Sequence, residues 1–269
     1  MCNSRFVIRR AWRAAGWWLC SILACASAFG PAPARANCLI SADPAIRELQ
    51  TLVDQDAKRA LKQVQARLDL LEHAARPDAQ QLAALYAVQA QAYSILELDA
   101  DAKRAASKGL QLATLAADPV RVDLLSSYAE NSYDAAEIDS ALASIDAAQA
   151  SQVRGSLADT CLMITRGLML YRQDRIDLAI VSLTQAYHAS TTPEFAAPRV
   201  MSAAVLSTVM RSTGDFPQAL ALNQEVIDWD TQHGATLSLS VNRFLRGKIF
   251  NLMGKSEARS EERRVGKEC

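Results

Sequence analysis

Two series of small residues run through the chain in one register, and they restrict its fold more than any other feature. The first series comprises Ala90, Ala129, Gly167, Ser207 and Gly247, with steps of 39, 38, 40 and 40 residues. The second comprises Ala102, Ala141, Ala179 and Ala219, with steps of 39, 38 and 40 residues. One such match would mean little in an alanine-rich chain. Two parallel series predict a repeated pair of helices whose small residues permit close packing.

The segment RGLMLYRQDRIDLAIVSLTQAY (Arg166–Tyr187) shows one unit most clearly. Gly167 is the small residue of its first helix, and Ala179, Leu183 and Ala186 lie at helical spacing on its second helix. These offsets resemble those of a tetratricopeptide-repeat (TPR) helix pair. The resemblance implies an all-α fold over residues 43–258, a right-handed TPR-like solenoid of antiparallel helix pairs with a period of about 39 residues.

The turn between the two helices has its own signature. In STGDFPQAL (Ser212–Leu220), Gly214 stands where the first helix must end, and Pro217 suits the first turn of the second helix. The segment FNLMGKSEA (Phe250–Ala258) begins the same pattern, with Gly254 forty residues after Gly214. We therefore expect four complete repeats and a last, broken one whose first helix ends near Gly254.

An earlier and more divergent unit is expected over Asp43–Ala74. The pair Asp43-Pro44 is typical of a helix start. The apolar face of its second helix is predicted to comprise Ala57, Leu61, Val64 and Leu68. The link RPD (Arg76–Asp78) separates this unit from the next.

The first 36 residues have the pattern of a secretory signal peptide. Four arginines precede the apolar stretch Ala14–Gly30, and Ala34 and Ala36 then form an A-x-A cleavage pattern. We expect cleavage after Ala36, a mature N-terminus at Asn37 and export to the periplasm. Two alternatives are an uncleaved membrane anchor and a lipoprotein acylated at Cys25.

Charge and cysteine content narrow the possible partners and compartment. Residues 37–258 hold 20 basic and 26 acidic residues without a basic cluster, so nucleic-acid binding is not expected. Only Cys38 and Cys161 remain once the signal peptide and the terminal Cys269 are set aside. The periplasm would permit these two to pair, although two independent, partly buried thiols is the simpler interpretation.

The last eleven residues, RSEERRVGKEC (259–269), differ from everything before them. Seven of the eleven are charged, and the string begins where the repeat requires a small residue forty positions after Ala219. It resembles the translation of a common sequencing adapter, so we interpret it as a tail foreign to the protein and expect the natural chain to continue beyond Ala258. A natural, frayed C-terminus is the alternative.

The sequence contains no motif that predicts catalysis, a cofactor or a metal site. His73, His188 and His233 stand alone, without a second ligand at metal-binding spacing. The acid pairs Asp99/Asp101 and Glu137/Asp139 are expected at starts of second helices, where the helix N-terminus favours negative charge. We therefore predict that the chain as given is not an enzyme, although a full-length parent could carry a catalytic domain that is absent here.

The expected function is the binding of a protein or peptide in a concave groove lined by the first helices. The candidate groove residues are Gln89, Asn131, Arg166, Arg211, Asn242 and Arg246. The three arginines are the preferred set, because they are expected near the same side of three successive repeats. A guanidinium can bind an acidic or C-terminal carboxylate through two hydrogen bonds.

An exported chain of this composition resembles the periplasmic N-terminal region of bacterial membrane-anchored signalling proteins, in particular GGDEF diguanylate cyclases. The resemblance implies a non-catalytic sensory module whose parent reaches the inner membrane only through a C-terminal segment missing here. A free-standing periplasmic TPR adaptor of envelope or secretion machinery and the sensor part of a TPR-containing histidine kinase are the alternatives.

Overall fold

The computed structural model describes residues 43–113, 119–234 and 236–268, and within them the side chains of all residues except 236, 237 and 255–268. All of the described residues belong to one compact unit. The expected signal peptide, its cleavage site at Ala36 and Cys38 lie outside the described residues.

The described residues form an all-α protein, as predicted. Its helices are α1 (Pro44–Gln55), α2 (Ala57–Glu72), α3 (Ala79–Ile95), α4 (Asp99–Leu112), α5 (Pro119–Glu130), α6 (Ala135–Ala150), α7 (Leu157–Arg172), α8 (Ile176–Ala189), α9 (Ala196–Thr213), α10 (Phe216–His233) and α11 (Thr236–Glu268). A short 3-10 turn, Pro193–Phe195, precedes α9.

Aspartate side chains begin many of these helices. Asp43 accepts a hydrogen bond from the backbone N–H of Ala45 at the start of α1, so the predicted start at Asp43-Pro44 is confirmed. The same kind of cap is supplied by Asp56, Asp78, Asp134 and Asp215. A carboxylate there satisfies backbone donors that the helix itself leaves without partners.

The helices pack in sequence order. Each helix packs against the next one, and in addition α1 contacts α3, α3 contacts α5, α5 contacts α7 and α7 contacts α9. Pairs of even-numbered helices do not pack on one another to a comparable extent. The odd-numbered helices from α1 to α9 therefore form a continuous row, an arrangement consistent with a helical repeat.

The small residues of the two series are mostly buried, and in two pairs the small residue of the first helix lies against the second helix. The first four members of the first series and all four of the second are buried. A Cβ atom added to Gly167 of α7 would fall 2.5 Å from Cγ of Leu183 on α8. In the next pair, Ser207 Oγ donates a hydrogen bond to the Ala219 backbone oxygen at 2.8 Å. This part of the predicted register is confirmed.

Three pairs also share one turn geometry. The residue seven positions after the small residue of the first helix has a left-handed backbone, and these residues are Glu97 (φ 58°), Asp174 (φ 61°) and Gly214 (φ 87°). The N–H of the following residue then bonds back to a carbonyl near the end of the first helix. The bonds are Leu98 N to Tyr93 O, Arg175 N to Leu170 O and Asp215 N to Met210 O, each 2.9 Å. The sequence pattern predicted this turn only at the glycine.

The divergent first unit largely follows its prediction. Ala57, Val64 and Leu68 of α2 are buried, whereas Leu61 is only partly buried. The link at residues 76–78 lies between α2 and α3 as expected.

The C-terminal helix departs from the sequence prediction in two ways. The expected helix end at Gly254 is wrong, because α11 runs without interruption to Glu268. Gly214 ends its helix because the next residue, Asp215, caps the following helix. Gly254 is followed by Lys255 instead, and the glutamates and arginines beyond it favour a continued helix. Gly247 was expected to be a packing position, yet it is exposed, and among the described residues no atom apart from its chain neighbours and its own helix backbone lies within 4 Å of where its Cβ would be.

Candidate functional site

The three amide residues among the predicted groove residues are buried and serve the packing of the helices. Gln89 Nε2 on α3 donates to Gln65 Oε1 on α2 at 3.0 Å. Asn131 follows α5, accepts a hydrogen bond from Ser94 Oγ at 3.1 Å and donates to a backbone carbonyl at 2.7 Å. The structure therefore gives these two residues partners inside the protein.

Two of the predicted arginines reach back to the preceding even-numbered helix. Arg166 Nε on α7 forms an ion pair with Asp146 Oδ1 on α6 at 2.9 Å. Arg246 on α11 donates to Gln224 on α10, and its guanidinium lies 5.7 Å from the centre of the Phe250 ring. Both arginines immediately precede the small residue of their helix, as Gln89 does on α3. These three residues thus form a recurring polar link between successive helix pairs.

Arg211 is placed differently from the other two arginines. It stands four residues after Ser207, whereas Arg166 and Arg246 stand one residue before the small position. Five helical residues correspond to a rotation of about 140°, so the three arginines do not share one face. Arg211 is half-buried, and its side chain has no hydrogen bond or ion pair with a described residue.

A cleft of about 440 Å³ lies between α9 and α10 and is bordered by a charged cluster. Arg199 Nε of α9 bonds to Glu225 Oε1 of α10 at 2.5 Å, and its Nη2 bonds to the Tyr187 hydroxyl at 2.6 Å. The guanidinium carbon also lies 4.2 Å from the centre of the Tyr187 ring. The Tyr187 hydroxyl donates to Glu225 Oε2 at 2.6 Å. One cation therefore joins α8, α9 and α10.

The rest of this cleft combines an aromatic side chain with polar groups. Trp229 lines it and stacks on the His233 ring with 3.7 Å between the ring centres. Asp228 and Gln232 stand at its exposed edge. Sequence reasoning missed this cluster, because its members belong to three helices and no repeat position marks them.

A similar cluster lines a smaller cleft of about 180 Å³ among α2, α3 and α4. Tyr86 of α3 donates a hydrogen bond to Glu72 of α2, and Lys108 Nζ of α4 lies 5.4 Å from the centre of the Tyr86 ring. Burial, and then the neighbouring Glu72 carboxylate, raise the pKa of Tyr86 to about 12. Burial and Glu225 likewise raise the pKa of Tyr187, with Arg199 opposing them. Beside both clefts, a tyrosine donates a hydrogen bond to a glutamate of another helix, and a cation lies over the tyrosine ring.

Asp230 is an aspartate buried where α10 meets α11. The third predicted amide, Asn242, donates to its Oδ2 at 3.0 Å. Burial raises the pKa of Asp230, and hydrogen bonds from Ser238 and Asn242 together with the charge of His233 partly oppose the rise. Asn242, which was predicted to line the groove, is therefore buried and bonded within the protein.

Cys161 is buried in α7 and is disulfide-bonded. It is the only cysteine in residues 43–268, so its partner lies outside the described residues. The interpretation of Cys161 as an independent thiol is therefore wrong.

Within the described residues, no group of three or more His, Cys, Asp or Glu side chains is arranged to hold a metal ion. In the same part of the chain, no helix combines the length and apolar character that crossing a membrane requires.

The chain matches no family model, no curated protein and no solved structure. The fold and its clefts define an all-helical protein of sequentially packed helices, consistent with a helical repeat.

Proposed function

We propose that this protein is a non-catalytic interaction module of the TPR type, exported to the periplasm, that binds a protein or peptide. The observation that supports this proposal best is the repeated close approach of paired helices at small residues. Gly167 beneath Leu183 and Ser207 against Ala219 occupy equivalent positions in successive pairs. Stacked helix pairs of this kind present long, continuous surfaces suited to holding extended or helical partners.

The proposed ligand contact is a carboxylate at Arg211. Arg166 and Arg246 would have to exchange Asp146 and Gln224 for a ligand, whereas Arg211 has no described side-chain partner to give up. A guanidinium that meets a carboxylate through two hydrogen bonds gives both affinity and orientation. A peptide with an acidic side chain or a free C-terminus fits this chemistry.

The experiment compares binding of one library of 15-residue peptides displayed with free or with amidated C-termini. The proteins compared are the unsubstituted protein, Arg211→Gln and the control Arg243→Gln, which removes an exposed arginine of α11. We expect selected peptides to bind Arg211→Gln at least about tenfold more weakly, which corresponds to the loss of one charged hydrogen bond. The Arg243→Gln variant should bind like the unsubstituted protein. Selected peptides that bind all three proteins equally would overturn the proposed contact.

We further propose that the module is the sensory region of a membrane-anchored signalling protein of the diguanylate cyclase type. The segment 1–36 and the repeat support this proposal through their resemblance to such regions. The genomic sequence downstream of codon 258 tests it. A hydrophobic span followed by GGDEF or GGEEF is expected, whereas further repeats and a stop codon would indicate the adaptor instead.

A further inference from the structure

The cleft between α9 and α10 combines an apolar lining with one uncompensated negative charge. Its apolar lining residues are Ala196, Val200, Ala221 and Trp229. Arg199 and Glu225, which also line it, form an ion pair at 2.5 Å, so their charges cancel. Asp228 is the third charged residue of the lining. The cleft therefore carries one net negative charge beside an apolar surface.

The Asp228 carboxylate can accept a further hydrogen bond. Gln224 Nε2 donates to its Oδ1 at 2.7 Å, and no described residue donates to its Oδ2. Asp228 is exposed and forms no ion pair with a described residue. A carboxylate whose only donor is a neutral amide can bind a cation through its other oxygen.

Two more features of the cleft favour a positive charge. The Trp229 ring, with His233 stacked on it at 3.7 Å between ring centres, is electron-rich and attracts cations. The lining also extends to Gln232, one residue before the end of α10, where the carbonyl groups of a helix terminus favour positive charge. The carboxylate, the indole and the helix end thus favour the same kind of ligand.

The repeat itself does not require these groups. The residues of α8 that lie forty positions before Asp228 and Trp229 are His188 and Ala189. The preceding helix pair therefore packs without an acid and an indole at these positions. Their combination is particular to the pair formed by α9 and α10, as expected of a binding site rather than of a packing position.

We propose that this cleft binds a lysine side chain of a peptide, with the ammonium group on Asp228 Oδ2 and the methylene chain along the apolar lining. Lysine suits the site better than arginine, because Gln224 occupies Oδ1 and leaves no second oxygen for the guanidinium fork. The proposal rests on the peptide-binding function proposed above and adds a contact that does not involve Arg211.

The probe is a library of seven-residue peptides, blocked at both ends and free of acidic residues, so that no carboxylate can reach Arg211. Binders are selected on the full chain and resynthesised with arginine or glutamine in place of each lysine. The decisive variant is Asp228→Asn, which keeps an acceptor for Gln224. The matched control is Asp177→Asn, the same change of charge at an exposed residue in the first turn of α8. Asp177 lies about 15 Å along that helix from Tyr187.

We expect the selected peptides to contain a lysine whose replacement by glutamine weakens binding at least about tenfold, as loss of a charged hydrogen bond should. Asp228→Asn should weaken binding of the lysine peptide to a similar extent, and Asp177→Asn less than about twofold. Arginine should bind more weakly than lysine. Binding should also change the tryptophan fluorescence of the unsubstituted protein and leave that of Trp229→Phe unchanged.

Selected peptides without lysine, or a tighter fit of arginine, would overturn the proposal. Equal weakening by Asp228→Asn and Asp177→Asn would also overturn it, because overall charge rather than this cleft would then attract the peptide. The carboxylate-bearing peptides of the Arg211 experiment separate the two proposals. If they bind and the lysine peptides do not, only the lysine site is wrong; if neither set binds, the peptide-binding function fails as well.

Discussion

Leu183 of α8 lies so close to Gly167 of α7 that a Cβ atom on the glycine would fall 2.5 Å from the leucine Cγ. Real Cβ atoms do not tolerate such a separation, so the Leu183 side chain or the two helices would have to shift if Gly167 carried a side chain. At the equivalent Gly247 of α11 the same atom would meet nothing within 4 Å. A substitution to alanine is therefore expected to have opposite effects on stability at these two equivalent positions.

Gly167→Ala should destabilise the protein by about 1 kcal/mol, because overpacking against Leu183 outweighs the gain in helix propensity. Gly247→Ala should stabilise it by up to about 1 kcal/mol, since only the propensity term acts there. Urea unfolding of the two variants measures both values. Equal effects of the two substitutions would show that Gly167 is not a packing position.

Ala179→Arg should disrupt the pair formed by α7 and α8. Ala179 is fully buried, so a guanidinium there has neither room nor a partner, and we expect a loss of more than about 3 kcal/mol. The control is Arg175→Ala, because Arg175 is exposed just before α8. Thermal unfolding should separate the variants clearly. A melting temperature unchanged by Ala179→Arg would show that the helix register is different.

The left-handed residue Glu97, at φ 58°, is strained in a way that glycine relieves. Glu97→Gly should therefore stabilise the protein by up to about 1 kcal/mol. Gly214→Ala, at the equivalent turn, should cost a similar amount. Chemical unfolding of both variants tests whether the two turns are equivalent, and a destabilised Glu97→Gly variant would indicate that they are not.

The raised pKa of Asp230 makes folding depend on pH. The folded state binds a proton more readily than the unfolded state, so the contribution of Asp230 to stability falls as pH rises from the ordinary aspartate pKa through the raised value. Asp230→Asn should remove this decline and keep an acceptor for Asn242. The control Asp228→Asn changes an exposed neighbour. Unfolding free energies of the three proteins from about pH 3.5 upward test this, and parallel curves would contradict it.

The disulfide of Cys161 is expected to join Cys38, the other cysteine of residues 37–258. Peptide mapping of the purified protein without reduction should recover this pair. Because the bond closes a loop of well over a hundred residues, its reduction should cost about 2–4 kcal/mol. A Cys161 peptide linked to any other cysteine would disprove the pairing.

The sequence by itself determined the features that depend on local residue type and spacing. Asp43 and Asp215 cap helices because an aspartate before a helical segment bonds its free N–H groups in almost any surroundings. Gly214 ends α9 because glycine adopts a left-handed backbone without strain. Ala179 is buried because a small residue repeated at a fixed interval on an apolar face marks a helix contact.

Only the tertiary structure decided the features whose partners lie far apart in the chain. Glu97 and Asp174 take the left-handed conformation of Gly214 because packed helix pairs require the same turn, whatever the local propensity. Arg199 meets Tyr187 and Glu225, which lie 12 and 26 residues away, and no local pattern encodes that meeting. Likewise, Arg166 and Arg246 have polar partners only because the preceding helix lies beside them. A side chain's type is local, but its partner depends on how helices dock, and docking is a property of the whole chain.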